Sequence, residues 1–422
     1  MIVGSARWNN HAYATATASP HLPTPRMRGT LPGHMNFVFL SPHFPPNWYL
    51  FAAALRDEGA TVLGIADVPD HELRPELRDA LSAYYRVHDM NDYDQLVRAL
   101  GYLTAQYGKL DRLDSLNEWW LEAEARLRTD FNIPGITTAE IGRMKRKSVM
   151  KRLFVRAGLT PGGGRVCRSA RSARAYAAEV GYPLVAKPDA GVGAAATFKL
   201  ANDDDLEHYL ATKPPVNYIL EQYLTGTLLT YDGLVDRRGE VAFDSSFYYN
   251  TGVMEAVNDD TDIWYCITRA IPPDVEAAGR AIVRTFGIRE RPFHFEFFRL
   301  PDGTLAPLEI NVRPPGGMTT DMFNIANEID FYRAWASMIV HGRTDQVPSR
   351  AFACAYVGRK HRFAYELSHE HVLAAYPDMV AAHTPISGIF APAIGDYGYI
   401  LRHPDEARVT AAARAIQAKT GR

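Results

Sequence analysis

From Asn36 onward, short apolar runs alternate with amphipathic stretches. Asn36-Phe-Val-Phe-Leu40 reads as a buried strand, Ser41–Asn47 as a Pro-rich loop, and the periodic stretch Trp48–Glu58, stopped by Gly59, as a helix. Thr61–Ala66, Ala83–Val87 and Leu110–Ser115 repeat the strand pattern, and Tyr93–Tyr107 and Glu118–Arg128 repeat the helical one. Strands alternating with helices predict a small parallel sheet covered by helices.

Beyond the turn Asn132-Ile-Pro-Gly135, one basic helix is predicted over Ala139–Ala157, capped by Thr138 or a neighbour. It carries Arg143, Lys145, Arg146, Lys147, Lys151 and Arg152, whose plain reading is a solvated face. After Gly158, strand patterns at Arg165–Cys167, Leu184–Lys187, Thr197–Leu200 and Tyr218–Glu221 enclose helical patterns at Ala170–Val180 and Asp204–Ala211. A second set, at Leu229–Asp236, Val241–Tyr249, Ile263–Arg269, His294–Arg299 and Leu305–Asn311, reads as an antiparallel sheet with a helix over Asp274–Phe286. Short strands follow from about 350, and an Ala-rich helix begins near Pro404.

These patterns divide the chain into an α/β unit over 35–137, a mixed lobe with its linking helix over 138–225, a larger lobe over 226–345, and a β-rich cap with a helix over 346–422. Residues 1–34 hold no acidic residue; they read as a disordered leader or as a mis-assigned start, with Met27 and Met35 as later ones. A chain of 422 residues is too long for a single core, in keeping with that division. The formal charge of -2 gives no electrostatic case for nucleic acid or acidic lipid, so small molecules are the expected partners. Cys167, Cys266 and Cys354 lack metal-type spacing and suit a reducing cytoplasm, and no apolar run reaches membrane length. A homodimer is a reasonable prior for the oligomeric state.

Two segments carry chemistry. Gly181-Tyr-Pro-Leu-Val-Ala-Lys-Pro-Asp-Ala-Gly-Val-Gly193 places Lys187 on a strand beside a glycine-rich loop, and glycine N–H groups with a lysine suit phosphate oxygens. A glycine-rich hairpin with a surface lysine would read the same way. In Phe293-His-Phe-Glu-Phe-Phe298 and Pro307-Leu-Glu-Ile-Asn-Val-Arg313, the two-residue period puts His294 with Glu296, and Glu309 with Asn311 and Arg313, on one face each. Charges among large apolar residues are costly unless paired or bound to a cation. Two carboxylates and an amide form a hard-oxygen set suited to Mg²⁺.

In order, Lys147, Lys187, Glu221-Gln-Tyr-Leu224, Glu296 and Glu309-x-Asn311-x-Arg313 resemble the ATP-grasp superfamily, in its carboxylate-amine ligase type, over about residues 36–345. The resemblance implies an ATP-grasp fold, α/β and α+β by class, preceded by a parallel α/β domain and followed by a β-rich cap. It implies that Lys147 and Lys187 contact nucleotide phosphates and that Gly191, Gly193, Ala194 and Ala195 close over them. Glu221, Gln222, Tyr223 and Leu224 would lie along the adenine, Glu296, Glu309 and Asn311 would hold Mg²⁺ (or Mn²⁺), and Arg313 would meet an anionic substrate or the developing phosphate charge. The implied activity activates a carboxylate with ATP as an acyl phosphate and transfers it to an amine, releasing ADP and phosphate.

Several points stay open from sequence. Thr227–Tyr231 is uncharged where many relatives place an acidic residue, which leaves ribose binding unassigned. Glu118 either reaches the cleft or serves its helix N-terminus. His294 either orients a metal ligand or packs in the sheet. Gly316 and Gly317 either bind a substrate carboxylate or only connect strand to helix. Tyr248, Tyr249, Glu255 and Arg269 are further substrate-contact candidates. The alternative activities are a carboxyphosphate-forming carboxylase or carbamoyl-phosphate-synthase-like enzyme, and a non-catalytic nucleotide-binding protein of the same fold.

Overall fold

The computed structural model describes residues 35–191, 196–386, 388 and 390–421; the predicted leader, Gly193, Ala194 and Ala195 lie outside them. Among the described residues the chain builds three sheets. The first is parallel, with strands β1 (Asn36–Leu40), β2 (Thr61–Ala66), β3 (Ala83–Arg86) and β4 (Arg112–Asp114) in the order β3-β2-β1-β4. Its covering helix Tyr93–Tyr107 begins where the Asp92 side chain accepts from the Asp94 and Gln95 N–H groups. That helix buries Leu96, Ala99, Leu100 and Leu103, the i, i+3, i+4, i+7 face.

The second sheet is antiparallel: β5 (Gly164–Cys167), β6 (Leu184–Pro188), β7 (Phe198–Leu200) and β8 (Tyr218–Gln222), in the order β5-β8-β6-β7. The helices Ala170–Val180 and Asp203–Thr212 pack on it through Ala173, Tyr176, Leu206 and Tyr209. The third sheet is large and antiparallel. It comprises β9 (Thr227–Val235), β10 (Val241–Ser245), β11 (Phe247–Tyr249), β12 (Trp264–Ile267), β13 (Arg291–Arg299), β14 (Leu305–Asn311), β15 (Ala353–Arg359), β16 (Val380–Pro385) and β17 (Tyr397–His403). Its order is β14-β13-β9-β11-β12-β15-β17-β16, with β10 against β9. The β-rich C-terminal segment therefore extends the larger lobe's own sheet, through the pairing of β12 with β15.

Two docking features follow from packing. Helices Thr319–Asn327 and Phe331–His341 wedge between the first and third sheets, where Phe37 and Phe51 meet Trp335 edge-on at 5.6 and 5.2 Å. Truncating a fully buried Trp335 to Ala would cost about 3–5 kcal/mol. Beside this seam, a buried ionic cluster joins the same bodies. Arg128 pairs with Glu124 at 2.8 Å, and Arg291 of β13 pairs with Asp114 at 2.8 Å while its Nε donates to the Val312 carbonyl at 2.9 Å.

The basic segment departs from expectation. Instead of one helix over Ala139–Ala157 there are two, Ile141–Lys145 and Lys147–Arg156. Arg146 between them is extended (φ -92, ψ 113) and bridges to Ala190. Helical periodicity continues through this point in the sequence, but backbone pairing with the end of β6 outweighs it. No helix among the described residues is long and apolar enough to cross a membrane.

Candidate active site

The helix break positions the first lysine. Lys147 N–H donates to the Asp189 carbonyl at 2.8 Å, and the Asp189 carboxylate accepts from Ser148 N–H at 2.8 Å and Ser148 Oγ at 3.0 Å. The second helix thus starts against β6, with an acid at its N-terminus where the helix dipole favours one. Lys145 points its Nζ toward the Glu118 carbonyl (3.5 Å), whereas Lys147 is buried with Nζ 3.0 Å from Glu309 Oε1, which separates the two neighbouring lysines. Burial depresses an ammonium, but Glu309 outweighs it and holds Lys147 above the ordinary lysine range.

One turn further on, Lys151 faces the same way and meets Glu221. Its Nζ is 2.9 Å from Glu221 Oε1, while Lys187 Nζ, from β6, is 2.6 Å from Oε2. Burial pushes the Glu221 carboxyl up, yet the two lysines outweigh it and hold it below the usual range. Lys151 is itself held below the ordinary lysine value by burial. Glu221 leads into Gln222, Tyr223 and Leu224, which line the cavity. This linker is anchored by Gln222 N–H to the Gly163 carbonyl (3.0 Å) and Tyr223 N–H to the Pro183 carbonyl (3.2 Å).

The other wall is the β13–β14 pair. Glu296 lies directly opposite Glu309, and His294 opposite Asn311, just before a register shift between Glu296 and Phe297. Like charges facing each other across a ladder repel. Here each has a cation: Lys147 on Glu309, and His294, whose Nε2 is 3.1 Å from Glu296 Oε1. His294 Nδ1 is 2.7 Å from the fully buried Asp232, and the ring stacks on Phe247 at 5.9 Å. Burial lowers an imidazole pKa, but Asp232 and Glu296 together raise His294 to about 9, so it carries charge at neutral pH. His294 therefore both packs and orients a carboxylate.

Between the walls, Arg313 Nη2 reaches Glu118 Oε2 at 3.3 Å and its Nη1 donates to the Pro314 carbonyl at 2.9 Å. Glu118 comes from the first domain, buried at the start of a short 3₁₀ turn that Asn117 caps, and its carboxylate enters the cleft. Burial holds its carboxyl above the ordinary range, against the pull of Arg313. Gly316 and Gly317 also line the cavity; Gly317 has φ +65, a conformation that side chains other than glycine rarely adopt.

These residues surround one cavity of about 360 Å³, lined by Lys147, Lys187, Glu221–Leu224, Glu296, Glu309, Asn311, Arg313, Gly316, Gly317 and Glu118. Gly191 lies beyond this lining, at the end of β6, and Gly193 and Ala194 lie outside the described residues. Tyr249 and Glu255 line the cavity, but Tyr248 and Arg269 do not. The Tyr248 hydroxyl binds Glu406 (3.0 Å) and Arg269 binds the Arg350 and Pro404 carbonyls (3.2 Å each), so both fasten the C-terminal segment.

Sequence reasoning passed over Lys151 and Asp232. The first was legible as the i+4 partner of Lys147; the second as a carboxylate two residues past Thr230 in an otherwise apolar strand. No group of three or more His, Cys, Asp or Glu among the described residues is placed to hold a metal. A divalent ion at Glu296, Glu309 and Asn311 would instead take two carboxylates and an amide. That hard-oxygen donor set, with its facing carboxylates, fits Mg²⁺.

Comparison with known proteins agrees in fold. Residues 180–321 match the ATP-grasp domain family. The L-amino acid ligase from Bacillus licheniformis superposes with a TM-score of 0.70 at 16% identity, over 91% of this chain and 97% of that one. The N5-carboxyaminoimidazole synthetase from Staphylococcus aureus complexed with ADP gives 0.65 at 13%, over 90% and 96%. The biotin carboxylase domain of the Hydrogenobacter thermophilus 2-oxoglutarate carboxylase, in complex with MgADP, gives 0.60 at 16%, over 88% and 87%.

Proposed function

The chain has the ATP-grasp fold, with an ATP-grasp domain over residues 180–321, and on that premise we propose that it is an ATP-dependent carboxylate-amine ligase. The observation that carries the reading is the meeting in one cavity of Lys147 and Lys187 with Glu296, Glu309, Asn311 and Arg313. Lys147 and Lys187 receive the nucleotide phosphates, and Glu221–Leu224 lie along the base. Glu296, Glu309 and Asn311 hold Mg²⁺, which when bound neutralises phosphate charge. Mn²⁺ fits the same donors.

The substrate carboxylate oxygen attacks the γ-phosphorus of ATP and ADP leaves, giving an acyl phosphate. The amine nitrogen then attacks the acyl carbon, phosphate departs and the nitrogen loses a proton. Arg313 binds the anionic substrate and the charge growing on the transferred phosphoryl group, a task of positioning and charge cancellation. Glu118 at 3.3 Å sets the guanidinium's orientation. His294, held by Asp232, keeps Glu296 ionised and turned toward the cavity. Both substrates are small molecules.

The test is direct: incubate the protein with ATP, Mg²⁺ and pooled acids and amines, and identify products by mass. An amide product with stoichiometric ADP is expected. ADP release that depends on bicarbonate and no amine would support carboxyphosphate formation instead. Nucleotide binding without ADP release under any condition would support a non-catalytic binding protein.

A further inference from the structure

Strand order gives the cavity a direction. Glu309 and Glu296 sit on β14 and β13, and the sheet continues through β9 and β11 to β12. At about 4.8 Å per strand, β12 lies about 14 Å along the sheet from β13. A run of contacting rings connects them. Beyond the His294–Phe247 stack, Phe247 meets Tyr249 at 5.3 Å, Tyr249 meets Tyr265 at 5.3 Å, and Tyr265 stacks on Tyr356 at 5.2 Å. Tyr249 and Tyr265 line the cavity, with Phe390, Ala393 and Ile394 from the C-terminal segment.

That end wall is firmly held. Tyr356 donates its hydroxyl to the Ile394 carbonyl at 2.9 Å, and Gly358 lies so close to that carbonyl that an added Cβ would stand 1.9 Å from its oxygen. Phe390 stacks on Phe44 of the first domain at 5.9 Å. The residues that β11, β12 and this segment bring to the cavity are uncharged, and the Tyr265 hydroxyl is already paired with Thr319 Oγ1 at 3.1 Å. The carboxylate on the adjoining helix Val253–Asn258, Glu255, accepts from the Tyr223 hydroxyl at 2.8 Å. A charged group entering this arm would lose hydration, and none of the residues that β11, β12 and the C-terminal segment bring there supplies a counter-charge, while an apolar group gains about 25 cal/mol per Å² covered.

We propose that this arm receives the side chain of the carboxylate substrate, which is therefore an acid bearing an uncharged aromatic or branched aliphatic group. The proposal rests on the ligase reading, since it takes the reacting carboxylate to lie at Arg313 and the β13–β14 pair. Tyr249, Tyr265, Phe390, Ala393 and Ile394 then determine specificity without taking part in the chemistry.

The experiment uses the full chain with ATP, Mg²⁺ and hydroxylamine as a general amine, and reads hydroxamate and ADP for glycine, aspartate, lysine, leucine and phenylalanine. Leucine or phenylalanine is expected to exceed aspartate, lysine and glycine in kcat/KM by roughly tenfold or more. Equal or better turnover of the charged acids overturns the proposal, as does a preference that appears only when the amine is varied. If no acid in this panel or in a wider pool releases ADP, the ligase reading itself fails. Ala393→Phe, which fills the arm, should lower the ratio of kcat/KM for phenylalanine over glycine roughly tenfold. An unchanged ratio in a variant that still binds ADP overturns the assignment. Should that variant misfold, Ile394→Ala, which widens the arm, should shift preference toward bulkier acids, and no shift counts against it equally.

Discussion

The two walls of the cavity solve opposite electrostatic problems. On the small-lobe wall, two ammonium groups, Lys151 and Lys187, share the single carboxylate of Glu221. On the β13–β14 wall, the carboxylates Glu296, Glu309 and Asp232 outnumber the cations His294 and Lys147. One wall thus lacks an anion and the other lacks a cation, and the proposed nucleotide with its divalent ion would supply both. Each wall is also held by its own internal pairs, which keeps these charges ordered before any ligand arrives and reduces reorganisation on binding.

That division is open to test. Glu309→Ala, which removes a donor and strands Lys147, should reduce ADP release by roughly 10³-fold, with metal-free nucleotide binding retained; turnover near wild type in a steady-state assay would remove Glu309 from the metal site. Lys187→Met should lower ADP release roughly 10²-fold and weaken nucleotide binding with and without Mg²⁺. Calorimetry on both variants sharpens the contrast, because matching Mg²⁺ dependences would mean that the walls do not divide the work.

His294→Gln leaves Glu296 without its charged partner, and a Mg²⁺ titration of activity should show affinity reduced about tenfold. An unmoved midpoint would confine His294 to packing. The smallest effect concerns Glu118, between the walls. Its carboxyl is held above the ordinary value of 4.5 by burial, so the folded state binds this proton more tightly than the unfolded chain. The stability it contributes is present below pH 4.5 and is lost as pH rises through the folded value. Glu118→Gln should therefore show a flatter Tm against pH from 4.5 upward, and a curve parallel to wild type would mean that this proton is not linked to folding.

Much of the frame was readable in the linear chain because its signals are local. The two-residue period of Phe293–Phe298 and Pro307–Arg313 placed Glu296, and Glu309 with Asn311, on strand faces, and β13 and β14 carry them in register. Helices at Tyr93–Tyr107 and Ala170–Val180 begin and end where periodicity puts them. The basic segment reads as one continuous helix because its break at Arg146 depends on a bridge to Ala190, 44 residues away.

By itself, the sequence determined which residues are candidates for the chemistry and on which elements they lie, since residue type, strand period and helix caps act within a few positions. Tertiary structure alone decided the pairings. Glu221 binds two lysines, Asp232 holds His294, Glu118 arrives from another domain, and β15–β17 extend the larger lobe's sheet to place Phe390–Ile394 at the end of the cavity. Each of these joins residues distant in the chain. Whether such groups meet is set by how buried apolar faces dock, as at Trp335 against Phe37 and Phe51, and no local pattern records which face meets which.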